Sequence, residues 1–395
     1  MFRLNETLLA LMAANRSRRQ ELNDAKAQQL VPVLVYIGTL MVVGAIGNGL
    51  VCYVYYFRFK KTTSSYFILW LAILDLITCL VGMPFELVDL LKPYTFDIPI
   101  ACKIMRFTES VTIIASGITL IGVAFDRYYK VCKPLRRFPN RTAKLLNLGS
   151  FTIAVTFSWP ALLVFGPKVV PTKDPYVEGL ECSVDEGVKG GNLVILYYVF
   201  LAIVFIVSVT FLSILYGLLA RTVLQRRKIT IGEVLEDVNR KNSSSLRSDS
   251  DKDNDSVFAG PVKKFPRRKR LFSREESDES RRSSSLGGRI RAGKTTRILF
   301  IVSSVFVISF LPYVIVKIIQ VLVKDFDDYP SVAAEVVYNL FVRFTNINNA
   351  VNPIIYSFMH KNFRKECIIA FRKMLHCEDK NTSLRRGFSR KSPSI

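Results

Sequence analysis

The chain has 395 residues, half of them hydrophobic, and a formal charge of +23. On a soluble domain that charge would point to nucleic acid. Here the apolar residues gather in blocks of about 20 or more, long enough to cross roughly 30 Å of hydrocarbon. Lysine and arginine fall between and after those blocks, a pattern of membrane topology rather than a nucleic-acid footprint.

Residues 1–30 read as an N-terminal tail. The stretch LLALMAA at 8–14 is similar to a short signal-peptide core, but Arg16, Arg18 and Arg19 follow and no cleavage pattern appears, so the tail is read as uncleaved. Asn5 and Asn15 open glycan acceptor sequons. Seven apolar blocks follow, at about 31–57, 66–91, 100–132, 145–166, 192–223, 298–323 and 332–358. In lipid each backbone amide must bond within its own segment, so the blocks are read as helices. The expected fold is an all-α membrane protein, a seven-transmembrane helix bundle over 31–358. No internal duplication is visible, which argues against a transporter built from repeats.

Charge sets the orientation. Arg58, Lys60 and Lys61 follow the first block, and Lys130, Lys133, Arg136, Arg137, Arg141 and Lys144 follow the third. The opposite loops carry Asp97, Asp174, Glu178, Glu181, Asp185, Glu186, Asp325, Asp327 and Asp328. Basic loops stay cytoplasmic, so the N-terminus is expected outside and the C-terminus inside. Of seven cysteines, only Cys102 and Cys182 then lie in the oxidising compartment, which suggests one disulfide. Residues 225–293 are poor in apolar residues and read as a disordered cytoplasmic loop, apart from extensions of the fifth and sixth spans. Ser283 and Ser284 follow Arg281 and Arg282, and Ser389 follows Arg385 and Arg386, a setting that suits basophilic kinases. The end of the chain, 359–395, opens with an amphipathic surface helix at 361–375, with Cys377 beyond it as a candidate palmitoylation site.

The spans carry a polar column. Glu109, Ser116 and Arg127 are separated by 7 and 11 residues in the third span, and Asp75 and Glu86 by 11 in the second. At about 100° per residue each set returns to one helix face. Polar groups in a membrane are costly and normally face a bundle interior.

In order along the chain, Gly47-Asn48, Leu71-Ala72-x-x-Asp75, Asp126-Arg127-Tyr128, Tyr216, Phe306 with Pro312, and Asn352-Pro353-x-x-Tyr356 mark the spans, and Phe363-Arg364 follows the last. This chain resembles the rhodopsin-like family of G protein-coupled receptors over nearly all of residues 31–375. The resemblance implies that Asp126, Arg127, Tyr128, Tyr216, Phe306, Phe310, Pro312, Asn352, Pro353 and Tyr356 serve activation and coupling to a heterotrimeric G protein. It also implies that arrestin, receptor kinases and membrane lipid are partners. No cofactor is implied beyond an allosteric sodium ion on Asp75, Ser116, Asn348, Asn349 and Asn352, whose oxygens suit a small hard cation. The chain departs from the family pattern at Phe310, where tryptophan is usual, at Ser208, in place of a proline, and at Ala292, where some members carry an acid facing the arginine.

At the outer end, Glu86, Asp89 and Glu109 are expected to meet Lys317, Gln320 and Arg343. Charges of both signs suit a larger polar ligand, most simply a neuropeptide, and acidic loops would steer a cationic one. The alternatives are an extracellular biogenic amine or other small molecule held by Glu109, or a transporter or channel. Both histidines, His360 and His376, fall on the cytoplasmic side, and no nucleophile-base pair appears, so no enzyme is expected. The expected location is the plasma membrane.

Overall fold

The computed structural model describes residues 2–133, 139–188, 191–249, 296–320, 331–359, 361–370 and 372, with side chains omitted for 2–9 and 226–249. Ser283, Ser284, Ser389, Cys377 and Ala292 lie outside the described residues. In chain order, α1 is Phe2–Gln29. It is followed by α2 Val31–Arg58, α3 Thr63–Leu91, α4 Pro99–Cys132 and α5 Asn140–Val164. A hairpin follows, β1 Phe165–Pro171 and β2 Glu178–Val184. Then come α6 Asn192–Asp249, α7 Thr296–Gln320, α8 Val332–Val342, α9 Asn346–Met359 and α10 at 361–370. The residues fall into two compact units. One is drawn from Met1–Asp126, Phe138–Leu212 and Ile298–Ile395, the other from Arg127–Arg137 and Ser213–Arg297.

Helices α2 to α7 are each long and apolar enough to cross a membrane. The apolar window of α4 is 67% buried and that of α6 only 11%, which makes α4 an interior helix and α6 a peripheral one. Water would not tolerate the exposed face of α6, whereas lipid is as apolar as its leucines. The seventh crossing, read from the sequence as one block, is two helices, α8 and α9, broken at Arg343–Thr345. That joint contains neither glycine nor proline; it is a tightened turn whose N–H groups bond three residues back, Phe344 to Phe341, Asn346 to Arg343 and Asn348 to Thr345.

Local chemistry accounts for the other boundaries. Thr62 caps α3 by accepting from the Ser65 N–H at 3.2 Å, and Ser331 caps α8 by accepting from the Ala334 N–H at 3.2 Å. Within α3 a π-turn over Thr78–Gly82 precedes Pro84, whose missing N–H and bulky ring disturb the preceding helical bonds. Pro353 inside α9 likewise leaves the Asn349 carbonyl without its helical donor. Asn48 of α2 fills the gap, donating to that oxygen at 2.7 Å. The two helices approach closely because Gly47 faces the Pro353 ring; a Cβ there would lie 2.8 Å from ring carbons.

Thr95 and Leu180 form an isolated bridge that attaches the β1–β2 hairpin to the α3–α4 connection, and the Phe96 N–H donates to the Leu180 carbonyl at 3.0 Å. A disulfide joins Cys102 of α4 to Cys182 of β2. Around it pack Phe96, Met105, Ala161, Val164, Phe165 and Tyr197.

The segment read from the sequence as an uncleaved tail is a helix held by specific contacts. Asn23 of α1 is 2% exposed and uses both ends of its amide. Its oxygen accepts from the Tyr94 N–H and the Thr95 hydroxyl, each at 3.1 Å, and its nitrogen donates to the Leu91 carbonyl at 3.0 Å. Lys26 pairs with Glu335 of α8, and Arg18 with Asp174 at the hairpin tip. At that tip, the Tyr176 N–H and then Arg18 hold the Asp174 carboxyl below its ordinary value. Asn15 is exposed on α1; the side chain of Asn5 is not described.

Candidate functional site

At the disulfide end, four of the six expected ligand-site residues are brought together. Arg343, at the end of α8, donates from Nε to Glu86 at 2.6 Å, from Nη2 to Asp89 at 3.1 Å and from Nη1 to Asn339 at 2.6 Å. Arg106, which the sequence reading passed over, supplies the second guanidinium. It donates from Nη1 to Glu86 at 3.0 Å and to Glu109 at 3.1 Å, and from Nη2 to Asp89 at 3.4 Å. A signal for it existed: Arg106 stands three residues before Glu109, one turn along the same helix face. The other two residues join a neighbouring polar group. Lys317 donates to Gln320 at 2.8 Å, and Gln320 to the Tyr338 hydroxyl at 2.7 Å. The Lys317 ammonium also lies 5.9 Å from the ring centres of Tyr198 and Tyr313. These tyrosines, together with Tyr197, whose hydroxyl lies 3.3 Å from that of Ser110, carried no motif to reveal them.

Below that cluster a cavity runs from Glu109 past Thr112, Ser116 and Thr345 to Asn348 and Asn349. Asp75 lies at mid-span and is wholly buried. Its Oδ2 accepts from the Asn352 amide at 2.8 Å, while its Oδ1 has no partner among the described residues. The side-chain oxygens of Asn48, Asn348 and Asn352 are likewise buried without a donor. Buried polar groups are normally satisfied, so this surplus of acceptors fits a bound cation or ordered water. Ser116 is buried on α4, and the Asn349 carbonyl is the one engaged by Asn48.

At the opposite end Asp126 is fully buried and accepts from the Thr63 hydroxyl at 2.6 Å and the Ser64 hydroxyl at 3.1 Å. The rings of Phe306 and Phe310 on α7 pack at a tilt with centres 4.6 Å apart, six and two residues before Pro312. Tyr356 packs between Tyr55 and Phe363, and Arg58 binds Glu366 of α10 at 2.8 Å. On α10 the buried residues are Phe363, Cys367 and Ala370, whereas Ile368 and Ile369 face outward, so its apolar surface has two sides. Burial pushes the Cys367 thiol up to about 11. In the second unit, Arg127 and Tyr216 are buried, Tyr128 packs on Tyr129, and Cys132 meets the Thr222 hydroxyl at 3.2 Å.

These features recur in known proteins. The family described as 7 transmembrane receptor (rhodopsin family) matches residues 47–356. Neuromedin-U receptor 2 of Mus musculus is 24% identical over 342 residues, 85% of this chain and 73% of that one. Neuropeptide S receptor of Macaca mulatta is 26% identical over 202 residues, half of this chain and 51% of that one. Squid rhodopsin has the same fold, with a TM-score of 0.62 at 19% identity over 94% of this chain and 93% of its own. The ordered motifs, the crossing helices and the family match agree: the chain is a seven-transmembrane helical membrane protein, a receptor and not an enzyme, and it belongs to the rhodopsin family.

Proposed function

We propose that this receptor binds an extracellular peptide at its disulfide end and responds by activating a heterotrimeric G protein at the other, in the plasma membrane with its N-terminus outside. The observation that carries the reading is the mixed-charge cluster of Glu86, Asp89, Arg106, Glu109 and Arg343, bordered by Lys317, Gln320 and several tyrosines. Many polar handles within one mouth suit a ligand with many polar groups. The relatives named for neuromedin U and neuropeptide S are receptors for peptides by name, which supports the same class. An amine receptor is disfavoured because Glu109 does not stand as a lone carboxylate but shares Arg106 with Glu86 and Asp89 in a cluster of both signs. Nothing favours a transporter or channel.

For coupling, the motif resemblance assigns roles to Asp126, Arg127, Tyr128, Tyr216, Tyr356 and the α7 residues Phe306, Phe310 and Pro312. Outward movement of α7 would free Arg127 to meet the G protein, and the same surface would serve arrestin and receptor kinases, with α10 against the inner lipid surface. Sodium, when bound, would neutralise the mid-membrane carboxylate and favour the resting state; Asp75, Ser116, Asn348, Asn349 and Asn352 would hold it. The test is a neuropeptide library applied to cells expressing the chain, reading calcium and cyclic AMP in parallel. One peptide should raise a response that Arg127→Ala abolishes at equal surface display. Responses to biogenic amines alone, lost in Glu109→Gln, would overturn the peptide reading.

A further inference from the structure

The cluster at the disulfide end is both crowded and unbalanced. Three carboxylates, Glu86, Asp89 and Glu109, face two guanidinium groups, Arg106 and Arg343. The two arginines sit on different kinds of backbone. Arg106 belongs to the continuous helix α4 and bonds all three acids. Arg343 belongs to the joint of the broken crossing, where the chain turns through Arg343–Thr345 before α9 begins. Its three side-chain bonds, to Glu86, Asp89 and Asn339, pin that joint from the α3 side and from α8. Thr345 of the joint and Asn348 and Asn349 after it line the cavity leading towards mid-span, and Asn352, a turn further on, holds Asp75.

An incoming cation that bonds Glu86 and Asp89 must compete with a guanidinium already there. Exchange for Arg106 would strip Glu109 of its donor and require a shift in a regular helix. Exchange for Arg343 leaves Arg106 in place and moves only a side chain on an irregular segment. Because one cation replaces another, Glu86 and Asp89 stay paired, and the displaced Arg343 avoids the large cost of an unpaired buried ion by turning to the ligand or to water at the mouth.

Resting on the receptor reading above, we propose that Arg343 is a positioning residue, an internal stand-in for the ligand's cation whose displacement releases the α8–α9 joint and transmits binding to the Asp75 level. A ligand can shift the receptor only through such differential contacts in its two states.

The test uses the full-length receptor in lipid nanodiscs, with hydrogen–deuterium exchange followed over residues 343–349 and nucleotide exchange on added G protein as the second readout. Glu86→Gln should accelerate amide exchange across the joint at least about threefold, within the range by which coupling positions act. Millimolar L-argininamide, as a free guanidinium probe, should do the same to the unmodified protein. Arg343→Lys, which keeps the charge but loses the fork, should exchange at a rate between those of the unmodified protein and Glu86→Gln. Arg106→Gln should leave the joint unchanged. The proposal is overturned if Glu86→Gln or argininamide leaves exchange at 343–349 unaltered, or if Arg106→Gln loosens the joint equally, since that would be general destabilisation. A joint that loosens as expected while no variant stimulates nucleotide exchange upholds the latch and sinks the coupling reading instead.

Discussion

In the cluster at the disulfide end, every carboxylate has at least one guanidinium donor. At mid-span, Asp75 has a single amide donor and a second oxygen with no partner among the described residues, amid the unpaired oxygens of Asn48, Asn348 and Asn352. The first cluster holds guanidinium partners for all its carboxylates, whereas the second holds more buried acceptors than donors among the described residues. Burial by itself therefore does not define a site; the balance of donors and acceptors around each buried charge has to be read with it.

The sharpest way to break this contrast is to remove one carboxylate from each cluster. Glu86→Ala leaves two buried guanidiniums underpaired and should cost about 3–5 kcal/mol, read as a lowered thermal unfolding midpoint in detergent. Asn48→Ala strands the Asn349 carbonyl that Pro353 had already deprived of its helical donor, for about 1–3 kcal/mol in the same assay. Asp75→Asn should change the midpoint least among these buried positions, because it removes a charge that lacks a counter-ion in the protein. Its effect appears elsewhere: any sodium dependence of agonist binding should vanish, and a retained dependence would remove the sodium proposal. The smallest effect belongs to the exposed hairpin tip. Asp174 has its folded pKa depressed by the Tyr176 N–H and Arg18, so its contribution is present above the ordinary carboxylate pKa of about 3.9 and fades as pH falls through the lower, folded value. Asp174→Asn should leave the neutral-pH midpoint nearly unchanged and flatten only that acid limb.

The spans and the polar column were legible because helical period and hydrophobic length are properties of the chain alone. Asp75, Glu86, Glu109 and Ser116 fall on the faces their spacing gives. Arg106 was missed because Glu109 was weighed as a counter-ion for a ligand, and the arginine one turn away was left out of that account. The joint at Arg343–Thr345 has no glycine or proline to announce it; long-range bonds to Glu86 and Asp89 hold it. The order of α1 is equally non-local. Its polar, unpatterned sequence has little amphipathic character, and its position depends on Asn23 meeting a backbone turn about seventy residues away. The β1–β2 hairpin contains three prolines, a composition that discourages a strand reading, yet its pairing to Tyr94–Phe96 and its disulfide hold it extended.

Asn23 has a consequence for how the molecule is made. Helix α1 is synthesised before every group it binds, on Leu91, Tyr94, Asp174 and Glu335, the last of them about three hundred residues further along the chain. For most of its biogenesis that segment lacks its docking site, so its protection from proteases reports that the chain behind it has been threaded and closed. A nick in the leading thirty residues would be the mark of an unfinished molecule.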